Sequence, residues 1–380
     1  MRLRDAQSAL LFSVVLVGIL LVVPPLVQAA DQPLIERLDQ IKTIASTVPA
    51  NGDVNPYGVA VVPRSIGRLV RGDVLVSNFN NAASVNNPGG LQGRGTTIVA
   101  VAPGGEVRLF AQIDPSSLPG TCPGGIGLTT ALSVLPGGWV VVGSLPTTDG
   151  TSATAQAGCV LILNAQGQVV KTLSGDDIDG PWDLTAVPIG DDFAVLFVTN
   201  VLNGTVAGNG AVVHQGTVVR IVLQLDGPGA PRELQHTVIG SGFSEKTDPA
   251  ALVIGPTGVG FGRDGVLYVA DSVDNRIAAI ANALFRTDSA GRGRDVSVGG
   301  ALNDPLGLAI APAGDILTVN GNDGFIVETT PAGRQVATRL LDNTGTPAGS
   351  GTLFGLAIAP ERGNGVYFVD DGTNTLNLLH

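Results

Sequence analysis

Lysine is almost missing from this chain: Lys42, Lys171 and Lys246 are the only ones. Charged residues of all kinds make up 14%, and the acids outnumber the bases to give a net charge of −11. Such a surface offers no basic groove for nucleic acid and repels an anionic membrane, which leaves cations and neutral molecules as ligands. Histidine is also scarce. His214, His236 and His380 are the only ones, and none stands with a serine or cysteine nucleophile. No His or Cys cluster has metal-ligand spacing, which argues against a hydrolytic triad and against a zinc centre. Beyond the N-terminus no apolar run is long enough to span a bilayer.

The N-terminus is the exception. Arg2 and Arg4 precede an apolar run from Leu10 to Val23, Pro24-Pro25 ends it, and Val27-Gln28-Ala29 offers small residues for a cleavage site. Residues 1–29 therefore read as a secretory signal peptide, and the mature chain is expected to be secreted or periplasmic, without a membrane span, and a monomer. In an oxidising compartment the two cysteines, Cys122 and Cys159, are expected to pair.

What the chain has in plenty is turn residues, with 53 glycines and 24 prolines. They punctuate short runs of Val, Ile, Leu and Thr, as between Asn303 and Asp342, where four strands follow one another. The first of these, PLGLAIAP from Pro305, recurs as PYGVAVVP from Pro56, TTALSVLP from Thr129, PWDLTAVP from Pro181, PTGVGFGR from Pro256 and LFGLAIAP from Leu353. The copies are close to 50 residues apart, and further apart after the first and third. One four-stranded sheet cannot bury both faces, and a repeat of this period means a propeller or a solenoid. The first strands are nearly continuous apolar runs, as strands covered on both faces should be. The fold class is all-β: a six-bladed β-propeller of four-stranded antiparallel blades over residues 41–380. The last copy lacks a fourth strand. The segment 41–48 (IKTIASTV) supplies it and closes the ring, leaving residues 30–40 as a lead-in outside it.

VLYVADSVDNRI, residues 266–277, resembles the repeat of NHL-type six-bladed propellers. That resemblance covers residues 41–380 and implies a fold that serves protein-binding and RNA-binding modules and, among relatives, lyases and lactonases. The last of these hold calcium on the channel axis with acidic and Asn side chains.

The repeats also show where a site should lie. Connections 79–94, 145–157 and 201–215 are long, all map to one rim of the first three blades, and are rich in Asn, Gly and Thr. Long loops on a rigid scaffold carry binding. Where most first strands have glycine at the third position (Gly58, Gly258, Gly307, Gly355), the third copy has Asp183. Beside it on the ring stand Tyr57, Trp182 and Phe354, and Asn55, Asn78, Asn200 and Asp304 fall on the same rim. These residues are the candidate site at the channel mouth. Asp271 and Asp371 read as residues that hold their own turns. The expected role is binding of an extracellular or periplasmic protein, peptide or glycan through the rim of blades one to three. The alternative is a metal-dependent hydrolase or lyase in which Asp183 ligates Ca²⁺, since oxygen ligands suit that ion.

Overall fold

The computed structural model describes residues 32–175, 177–227, 229–360 and 365–380. The segment read as a signal peptide lies outside them. Six sheets surround a central channel. Blade one is built from Val54–Val61, Val74–Asn80, Thr97–Val101 and Val107–Gln112, and the same antiparallel meander repeats around the ring. The innermost strands of the other blades are Leu128–Val134, Pro181–Ile189, Pro256–Phe261, Pro305–Ile310 and Leu353–Ala359.

The core lies between blades. Successive residues of a strand point to opposite faces, so Val74 and Val76 pack towards blade six while Leu75 packs towards blade two. Both faces are covered, which is why these strands read as unbroken apolar runs. The inner strands approach so closely that glycine is obligatory at some third positions. A Cβ on Gly307 would lie 2.0 Å from the Phe354 carbonyl oxygen, and one on Gly355 would lie 2.1 Å from that of Tyr57.

The ring closes as the repeats require. Ile41–Ser46 pairs antiparallel with Thr375–Leu379 and is the outer strand of blade six. The lead-in does not stand clear of the ring. Residues 34–37 form a turn, Leu34, Ile35 and Leu38 are buried between blades five and six, and the N–H groups of Leu34 and Ile35 donate to the Glu328 carboxylate at 2.8 and 2.9 Å. Three buried apolar side chains outweigh the pull of a charged, polar segment towards solvent.

Blade three departs from the pattern. Its fourth strand, Arg232–Asp248, runs on for 17 residues and turns back as Leu252–Ile254, adding a fifth strand. This hairpin and the long connection 201–215 together account for the long interval after the third repeat. Among the described residues no helix is long and apolar enough to cross a membrane.

Candidate functional site

The rim end of the channel is filled. Tyr57 stacks on Phe354 and Phe79 with ring centroids 3.9 and 4.4 Å away, and Trp182 is tilted against it at 6.3 Å. These aromatics join Leu306 and the hairpin residues Ala251 to Ile254 in one buried cluster. Trp182 donates its indole N–H to the Val253 carbonyl at 3.1 Å, fixing the hairpin over the plug. Leu252 reaches a φ of 65° here, a left-handed value that costs a side-chain-bearing residue about 1–2 kcal/mol and is offset by its burial. The aromatic wall therefore packs against itself and the hairpin, and offers no face to a ligand.

The long loops share in this roof. Thr147 N–H donates to Gly93 O, Arg94 donates to Thr147 O, and Gln92 reaches Pro249 O at the hairpin tip. The disulfide expected from the sequence is formed. Cys122 and Cys159 are joined across a separation of 37 residues and tie the connection that enters blade two to the start of its third strand, Cys159–Leu163.

The opposite end of the channel is open. Most inner strands are buried at the rim end and become half-exposed towards the far end, as in Pro305–Ile310, where Ala309 and Ile310 are the half-exposed pair. Each inner strand has a sheet neighbour on one side only, so its other edge faces the axis with unpaired backbone groups. A cavity of about 280 Å³ occupies this end, lined by residues of all six inner strands. Asp183 is the one carboxyl among its lining residues; Thr130, Ser133 and Thr185 supply hydroxyls.

Asp183 is 7% exposed. Its Oδ1 accepts from Leu184 N–H at 2.8 Å and its Oδ2 from Val259 N–H at 3.1 Å, so the side chain bridges blades three and four. Burial pushes its pKa up to about 7, with the two N–H groups holding it back. The group therefore stands at the boundary between acid and base near neutrality. Calcium takes about 6–8 oxygen ligands. Gly58, Gly258, Gly307 and Gly355 offer no side-chain oxygen at the equivalent positions, and both Asp183 oxygens already accept from the backbone. Asp183 is thus the one carboxylate that a calcium ion would find among the lining residues, beside the Thr130, Ser133 and Thr185 hydroxyls, and among the described residues no three His, Cys, Asp or Glu side chains form a metal set.

The remaining candidates are scattered. Asn78 donates to Thr47 O at 3.1 Å and to Thr97 Oγ1 at 3.3 Å, tying the ring-closing segment to blade one. Asn200 is fully buried and its amide atoms find no partner among the described residues. Asp304 takes a φ of 57° and donates its N–H to Asn275 Oδ1 at 2.6 Å. Burial, with a lesser contribution from the Asp248 charge, pushes its carboxyl up to about 7. Asn55 does the same between blades six and one, donating its N–H to Asn374 Oδ1 at 2.7 Å. Asp271 holds its own turn, accepting from Arg276 Nε at 2.7 Å across it. The last turn is instead held by Asp370, which accepts from Thr373 N–H, while Asp371 lines a rim cleft.

No protein-family model matches the chain, and no curated protein sequence matches it. Solved structures do. Regucalcin from Agrobacterium tumefaciens, described as a calcium-binding protein, is similar at a TM-score of 0.54 and 12% identity, over 89% of this chain and 93% of that one. A gluconolactonase from Xanthomonas campestris has a TM-score of 0.50 at 13% identity, over 89% and 88%. A luciferin-regenerating enzyme has a TM-score of 0.50 at 11% identity, over 90% and 94%. At such identities the likeness is one of fold: this chain is a six-bladed β-propeller with enzymes among its structural neighbours.

Proposed function

We propose that the chain is a catalytic propeller, a hydrolase or lyase of small polar molecules, working in the channel from the face opposite the long loops. The observation that carries this reading is the single carboxyl at the closed end of an open channel, poised near pH 7. A general acid–base group works best with a pKa near the operating pH. Protonated, Asp183 donates to a developing oxyanion or leaving oxygen; ionised, it accepts a proton from water or from carbon. Exposed edges of the inner strands supply further donors to hold the substrate. Gluconolactone and simple esters are the first substrates to test, since a structural neighbour is a gluconolactonase. On this reading the chain is an exported NHL-type propeller, and its disulfide fits an oxidising compartment.

The test is hydrolysis of a lactone and ester panel by the wild type and by Asp183→Asn. The variant should lose about a hundredfold or more in kcat/KM, together with the inflection near pH 7, while keeping its circular dichroism. Turnover at the wild-type rate by the variant would end the proposal, as would a wild type inert on the whole panel.

A second reading, capture of an extracellular protein, peptide or glycan by the rim of blades one to three, has Val85 in its favour. That valine is fully exposed at the tip of the first long loop. Deleting residues 82–87 should leave melting unchanged and abolish capture; a deletion that binds as well as the wild type counts against it.

A further inference from the structure

The rim face holds a cavity that the Asp183 chemistry does not use. It measures about 290 Å³, lies where blades six and one meet beside the hairpin tip, and is lined by Asn55, Asn80, Gln92, Asp371 and Asn374. Two backbone carbonyls decide which way its carboxamides face. Asn80 donates Nδ2 to Gly89 O at 2.7 Å, so its Oδ1 turns towards Asn55 and accepts from Asn55 Nδ2 at 3.2 Å. Asn55 Oδ1 is the atom left over; the residue is 3% exposed and this oxygen has no partner. Gln92 repeats the arrangement. Its Nε2 donates to Pro249 O at 2.9 Å, and its buried Oε1 has no partner. Asp371 adds a carboxyl close enough to Tyr57 for its charge to raise that phenol's pKa, second only to burial. Asn374 spends its oxygen on the Asn55 N–H. No Lys or Arg lines the cavity.

Two buried carboxamide oxygens thus stand without a partner beside a single carboxyl. The complement is a ligand with donors only and a single positive charge. A primary ammonium has three N–H donors and no acceptor. A calcium ion would need about 6–8 oxygens and would leave most of the space unfilled. We propose that this cleft binds a small primary amine as its ammonium ion, with the N–H groups directed to Asn55 Oδ1, Gln92 Oε1 and the Asp371 carboxylate.

The test is calorimetric titration of the full chain with n-butylammonium chloride, with tetramethylammonium and calcium chlorides as comparators. Butylammonium should bind saturably at one site. Asp371→Asn and Gln92→Leu should each weaken it about tenfold or more with unchanged circular dichroism. Asn55→Gly, which keeps the left-handed backbone and removes the oxygen, should do the same. Asp183→Asn should leave it unchanged, so this result and the channel chemistry stand or fall separately. Tetramethylammonium carries the charge without N–H groups and should not bind. The proposal is overturned if butylammonium shows no saturable heat, if tetramethylammonium binds equally well, or if calcium alone binds with sensitivity to these substitutions.

Discussion

Glu245 shows what burial does to a single acid in this molecule. It is fully buried at the base of the hairpin. Burial pushes its pKa up to about 8, against the pull of the Asn203 N–H, and the Asp179 charge adds to the rise. The unfolded chain ionises this group near 4.5, the ordinary value for a glutamate. Below that pH both states are protonated and stability is intact. Between there and about 8 the unfolded state has released a proton that the folded state keeps, so stability falls as pH rises. Asp183, Asp304 and Asp371, all pushed up to about 7, act in the same direction. The melting temperature should therefore drop by several degrees between pH 5 and pH 8.5. Glu245→Gln should flatten that slope, and a variant with the wild-type slope would exonerate the group. Glu245 drew no notice in the sequence, because a lone Glu between Ser and Lys reads as surface. Asp183 did stand out, because it interrupts a column of glycines.

Two elements hold ends that would otherwise be loose. The Cys122–Cys159 bridge closes a loop of 37 residues, which the chain-entropy model values at about 4 kcal/mol. Replacing both cysteines by serine should cost roughly that much by denaturant titration, and a loss below about 1 kcal/mol would place the constraint elsewhere. The lead-in is held by Glu328, which takes two backbone N–H groups in a buried setting. Glu328→Gln retains one acceptor only, and should loosen residues 32–40 in hydrogen exchange before the rest of the ring unfolds. Strand order and closure were legible in the repeats, since every blade must present two apolar faces. The hairpin of blade three was not. Its residues follow the same apolar and turn rules as a blade, and only the contact with a plug assembled from blades one, three, five and six gives it a place. The site was half legible for the same reason: the repeats locate Asp183 on the ring, but the plug and hairpin decide from which side it is reached.

At the scale of the whole molecule, the six interblade cores form one circuit, and the circuit is completed by a single pair of strands. Thr43 bonds to Asn377 across 334 positions of sequence. Deleting residues 41–46 should open blade six and turn one sharp unfolding transition into a broad one, and a truncated chain that still melts in one sharp step would mean that five and three-quarter blades suffice. The closure also imposes an order in time. As a ribosome releases the chain, the strand at 41–46 emerges early and finds no partner until residues 375–379 follow at the far end. Until then one exposed strand edge and the unsealed flank of blade one remain open to other chains. A ring sealed by its earliest strand is thus a ring that closes only once residues 375–379 are available to pair with it.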